Sequence, residues 1–141
     1  MKKTLAIIST FLLLFSCNRY PDGPEVSLLT AKTRLTNTWI INTAYENGEE
    51  KTADFNTVFA GFTLDIKKDD NYTMSYQPFS VGDYNESGTW EFNSDKTHVI
   101  FRKANSSDVH DWTILRLKTK QLWAQFVDSS TTYEVHLVPK N

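Results

Sequence analysis

The sequence predicts an all-β domain: an eight-stranded antiparallel up-and-down barrel with a short N-terminal helix, preceded by a signal peptide. Three observations carry this. Polar and apolar residues alternate with period two in short segments joined by turn residues, at intervals of about 9–15 residues. The residue types suit pleated, half-buried surfaces: all four Trp, all six Tyr, seven of nine Phe and fifteen Thr follow Cys17. A basic, apolar leader stands in front of them.

The leader opens with Met1-Lys2-Lys3, and Leu5 to Phe15 is an apolar run of eleven residues, too short to span a bilayer as a helix. Leu14-Phe15-Ser16-Cys17 then resembles the bacterial lipobox, in which an aliphatic and a small residue precede a cysteine that receives the lipid. The resemblance implies cleavage before Cys17, diacylglycerol on its thiol and usually a further acyl chain on its amine. Two or more chains give stable anchoring where one does not. The implied partner is therefore a membrane, held through Cys17. The expected localisation is exported and lipid-anchored at the outer membrane, with the periplasmic or surface face left open.

The leader also changes what the composition means. Residues 1–16 hold eight of the 36 Leu, Ile, Val and Phe; the remaining 125 residues hold 28. The later core must therefore rely on aromatic rings, which bury more area per residue. Without Lys2 and Lys3 the chain has 13 basic and 17 acidic residues. That balance gives no basic face for nucleic acid, and no electrostatic adhesion to anionic lipid. A single cysteine excludes a disulfide scaffold.

The chain divides into a signal peptide (1–16), a lipidated N-terminus and flexible linker (17–30) and a barrel domain (31–141). Asn18 to Glu25 holds two prolines and a glycine and has no periodicity. Val26 to Leu35 predicts one or two helical turns covering an end of the domain. The eight strands follow as Trp39–Tyr45, Phe62–Ile66, Tyr72–Tyr76, Trp90–Phe92, His98–Arg102, Trp112–Leu117, Leu122–Val127 and Tyr133–Leu137. Residues 46–60 and 78–87, marked by Asn47-Gly48, Pro78 and Gly82, are expected to be longer loops at the barrel mouth.

From about Leu35 to Pro139 the chain resembles the lipocalin-like lipoproteins of Bacteroidota. The residues that carry this are Leu35-Thr36-Asn37-Thr38-Trp39, Phe62 to Tyr76 (FTLDIKKDDNYTMSY), Ser87-Gly88-Thr89-Trp90-Glu91-Phe92, and Trp112-x-Ile114-x-x-Leu117 with Leu122. The resemblance implies that Trp39 closes the barrel floor, with Asn37 where the family generally carries a glycine. Asn is among the residues that tolerate positive φ. The resemblance also implies an arginine from a late strand packed over that tryptophan, but no arginine follows Arg116.

Chemistry is sparse. Asp108-x-His110-Asp111, with His98 or His136 added by the fold, offers too few visible ligands for a metal site and reads as a turn entering a strand. HExxH, P-loop, GxSxG and EF-hand patterns are absent, so neither enzyme nor cofactor is expected. Asp65, Asp69, Asp70, Asp83 and Glu86 read as solvated acids at turns or on outward faces. An inward set of Tyr72, Met74, Tyr76, Trp90, Trp112, Ile114 and Phe126 would line a cavity with rings, for a small apolar or sugar-like ligand. The alternative is a filled barrel that serves another envelope protein through its outer face, where Trp123, of opposite parity to Phe126, would sit. A cavity of about 300 Å³ or more beside the 46–60 or 78–87 segments would favour the first reading.

Overall fold

A computed structural model describes residues 28–141; the leader, Cys17 and most of the linker lie outside the described residues. A one-turn helix, α1 (Ala31–Leu35), leads into β1 (Asn37–Glu46). Thr30 caps it, its hydroxyl accepting from the Thr33 amide at 3.1 Å. Asn47-Gly48, both at positive φ, turn β1 into the two-residue strand β2 (Glu49–Glu50), and α2 (Thr52–Val58) follows. The chain then runs as a meander: β3 (Phe59–Ile66), β4 (Asn71–Pro78), β5 (Tyr84–Phe92), β6 (His98–Lys103), β7 (Val109–Lys118), β8 (Gln121–Asp128) and β9 (Thr131–Pro139). Each strand from β3 to β9 pairs antiparallel with the next, and β1 pairs with both β3 and β9. The β1–β9 ladder, from Trp39↔Pro139 to Glu46↔Tyr133, closes an eight-stranded barrel with β2 as a spur. Closure leaves the main sheet no free edge.

Three bulges bend the strands: between Ile41 and Thr43, between Ala60 and Thr63, and between Ile114 and Arg116. Each lets two residues three apart share the inner face. Thus Ile114 and Leu117 are both buried, as a regular strand would forbid. Gly61 takes the positive φ (65°) that the second bulge needs.

The expected loops are corrected. Residues 46–60 form a hairpin, α2 and the start of β3; within α2 Phe55 alone is buried. Of 78–87, only Phe79 to Asp83 lies between strands, because β5 begins at Tyr84. Trp90 therefore stands near the end of β5, not at its start.

The lower half of the barrel is solid. Leu35, Trp39, Leu64, Ile66, Tyr72, Val99, Phe101, Ile114, Leu117, Leu122 and Leu137 are all at most 1% exposed. The Trp39 indole donates to the Leu35 carbonyl at 2.8 Å, tying the floor ring to α1. Asn37 is not in the positive-φ set; it starts β1 extended, and its side-chain oxygen accepts from the Thr38 amide at 2.9 Å. The arginine buried at this end comes from α1: Arg34 Nη1 donates to the Leu117 carbonyl at 2.7 Å.

Candidate functional site

The upper half is open. A cavity of about 530 Å³ occupies it, inside the range of about 300–1,000 Å³ usual for small-molecule sites. It draws walls from both segments read as mouth loops, with Phe55 and Phe59 from the first and Tyr84 and Glu86 from the second. Of the seven ring and apolar residues expected to line it, Met74, Tyr76, Trp112 and Phe126 do so. Tyr72, Trp90 and Ile114 do not. Tyr72 and Ile114 belong to the packed layer beneath. Trp90 donates from its indole to the Lys67 carbonyl at 2.9 Å in the β3–β4 turn, at the closed end.

Around the cavity the rings touch in sequence. Trp112 stacks on Phe126 (5.3 Å between centroids), Phe126 on Tyr133 (5.4 Å), and Tyr133 meets Phe55 edge-on (5.7 Å). Phe55 packs on Phe59 (5.5 Å), Phe59 on Tyr76 (5.0 Å) and Tyr76 on Tyr84 (4.6 Å). These spacings fall in the range of favourable aromatic pairs. The result is a horseshoe of seven rings running from β7 through β8, β9, α2, β3 and β4 to β5.

The gap in the horseshoe, across β5, β6 and β7, is polar. Glu86, expected on an outward face or turn, instead points inward with its side chain 1% exposed. One carboxylate oxygen accepts from the Tyr72 hydroxyl (2.5 Å) and sits 2.9 Å from His110 Nε2; the other accepts from the Tyr84 hydroxyl (2.6 Å). Lys103 Nζ lies 4.0 Å from Glu86 and 3.9 Å from Asp108. His110, read as part of a strand-entry turn, is the first inward residue of β7. Parity was the available signal: Glu86 shares it with Trp90, and His110 with Trp112 and Ile114.

Burial pushes the Glu86 carboxyl up, but hydrogen bonds from Tyr72 and Tyr84 and the neighbouring His110 outweigh it, so it falls below the ordinary 4.5. Burial, then the bond to Glu86, pushes the Tyr72 phenol well above its usual range; for Tyr84 the bond to Glu86 leads and burial follows. Both phenols therefore remain donors. A carboxyl depressed in the folded state stabilises the fold above its unfolded value, and that contribution is lost as pH falls through the folded value. Thermal stability should accordingly fall more steeply below about pH 4.5 in the wild type than in Glu86→Gln. Parallel acid dependences in the two proteins would contradict this placement of the charge.

The other histidines are engaged elsewhere. His98 Nδ1 is 2.7 Å from Asp111, and His136 Nε2 is 2.6 Å from Glu134. Among the described residues no three His, Cys, Asp or Glu side chains are grouped to hold a metal ion. Trp123 faces outward, between the Arg116 guanidinium at 4.0 Å and the His136 ring at 3.9 Å.

Comparison with known proteins agrees with this architecture. A crystal structure of a lipocalin-like protein from Bacteroides uniformis superposes with a TM-score of 0.58 at 7% identity, over 76% of this chain and 99% of the other. One of an uncharacterized protein from Bacteroides eggerthii gives 0.52 at 8% identity, over 73% and 98%. At these identities the likeness is one of fold. A search of curated proteins finds no match. The sequence profile described as "Lipocalin-like domain" matches residues 35–123, well over half of the chain, and the chain belongs to that family.

Proposed function

We propose that this protein is a lipid-anchored, non-catalytic binding protein of the cell envelope, holding a small hydrophobic or ring-bearing ligand in the upper half of its barrel. The observation that carries this is the ring-walled cavity of about 530 Å³ above a solid floor. Lipocalin-like folds generally bind small hydrophobic ligands, and an apolar concavity with a few convergent polar groups is the usual form of such a site. The cavity also weighs against a filled barrel acting only through its outer face.

The test is native mass spectrometry of protein purified from its own host without detergent stripping, together with titration by the neutral fluorophore N-phenyl-naphthylamine. A one-to-one adduct, or saturable one-to-one fluorophore binding, is expected. A bare barrel that co-purifies with a partner protein and takes up no fluorophore would overturn the reading. Anchoring rests on the lipobox-like Leu14 to Cys17 segment. Cys17→Ser should move the protein from the membrane to the soluble fraction, and unchanged fractionation would refute the anchor.

A further inference from the structure

The polar gap in the ring horseshoe has a definite hydrogen-bonding character. The three donors aimed into it, from Tyr72, Tyr84 and His110, all converge on Glu86. Of the two phenols only Tyr84 lines the cavity; with its proton given to Glu86 its oxygen presents lone pairs there, and the Lys103 ammonium lies 3.5 Å from it. Charge runs the same way. Glu86, Asp108, Asp111 and Asp128 all line the cavity, whereas His110 is the lone basic residue in that lining. Lys103 offsets part of this from the end of β6, bridging Glu86 and Asp108 at 4.0 and 3.9 Å, and His98 engages Asp111 from outside the lining. Negative charge remains in excess.

The opposite wall is apolar and includes Phe55 and Phe59 among Ile41, Val135 and Leu137; a ring whose face meets the ligand favours a cation through its negative quadrupole. A ligand carboxylate would meet net repulsion here, and the protons of Tyr72, Tyr84 and His110 are already committed to Glu86. A ligand cation would meet an acceptor, negative charge and an aromatic-rich wall, in a cleft whose apolar walls concentrate the field.

We propose that the ligand is an amphipathic cation: an apolar, ring-sized body within the horseshoe and a protonated amine, or similar hydrogen-bond-donating cation, at the Glu86 pole. This names the ligand class for the binding site proposed above and rests on that reading.

The test uses three compounds that share a body and differ in their head: naphthylethylamine, naphthylethanol and naphthylacetate. Each is titrated by calorimetry into the intact protein near neutral pH and low salt, where surface screening is weak. The amine should bind about tenfold tighter than the alcohol, a difference of about 1.4 kcal/mol, and the carboxylate weaker than either. Glu86→Gln should bring amine and alcohol affinities within about twofold of each other. If Glu86→Gln does not fold, the exposed Asp108→Asn decides: amine affinity should fall about threefold relative to the alcohol. Equal binding of amine and alcohol by the wild type would overturn the cationic class while leaving the cavity reading standing. An amine preference that survives both substitutions would overturn the placement of the cation at the Glu86 pole. Failure of all three compounds to bind would overturn the cavity reading as well.

Discussion

Trp39→Ala is expected to lower unfolding stability by about 3–5 kcal/mol, the range for removing a fully buried large aromatic side chain. That is a large share of the total for a domain of this size. The ring is 0% exposed and lies on the inner face of β1, close to where β1 meets both β3 and β9. Its loss therefore removes core packing at the closing seam. The indole N–H is held by the Leu35 carbonyl, so the change also unties α1 from the floor. Trp39→Phe should cost less, since it keeps most of the apolar volume and loses chiefly the N–H bond. Trp112→Ala is the useful contrast. Trp112 borders a void already, so its removal enlarges an existing cavity and should cost less than the loss of Trp39. Urea denaturation of the three variants measures this. A Trp39→Ala loss of under about 1 kcal/mol would show that the floor is not the stable part of the barrel.

Gly88→Ala is expected to destabilise at or above the top of the range of about 1–3 kcal/mol for overpacking. A Cβ built there would stand 1.9 Å from the Arg102 carbonyl oxygen, 2.9 Å from its carbon and 3.0 Å from a Tyr72 ring carbon. Two of those neighbours are backbone and cannot rotate away. Gly88 pairs with Tyr72 on β4 and Lys103 on β6, so relief means prying β6 from β5. Glu86 lies two residues earlier on the same face, and its bonds to Tyr72 and Tyr84 should loosen with it. The expected result is a lower denaturation midpoint together with weaker ligand binding. Gly61→Ala is the control: a Cβ there meets nothing within 4 Å, so its cost should come from backbone strain alone, about 1 kcal/mol. If Gly88→Ala proved the milder of the two, the close approach of β5 and β6 would be refuted.

The eight barrel strands were readable because alternation and turn residues agree along most of the chain. The outward side of Trp123 followed from the same counting. What was not readable follows from particular residues. In β5 the inward positions are Tyr84, Glu86, Gly88, Trp90 and Phe92; an acid and a glycine interrupt the apolar signal, so the strand is evident only from Trp90 onward. Glu86 looked solvated because lone acids almost always are. Its burial depends on Tyr72, Tyr84 and His110, which lie two to twenty-four positions away and which only the barrel brings together. In α2, Thr52, Asn56 and Thr57 have weak helical propensity and Phe55 alone is buried, so no periodicity announces the helix. The bulges at Asn42, Gly61 and Leu115 shift inward parity partway along three strands. Simple counting therefore cannot assign both ends of those strands to one face.

The described chain enters at the closed end of the barrel through α1, and it leaves there too, with Pro139 paired to Trp39. Both ends of the domain therefore emerge beneath the solid floor, on the opposite side from the cavity mouth. Whatever holds the domain at either end, whether a lipid, an affinity tag or the surface of a sensor chip, grips it by the base. The same geometry lets the protein be immobilised through either end for binding measurements without obstructing ligand entry.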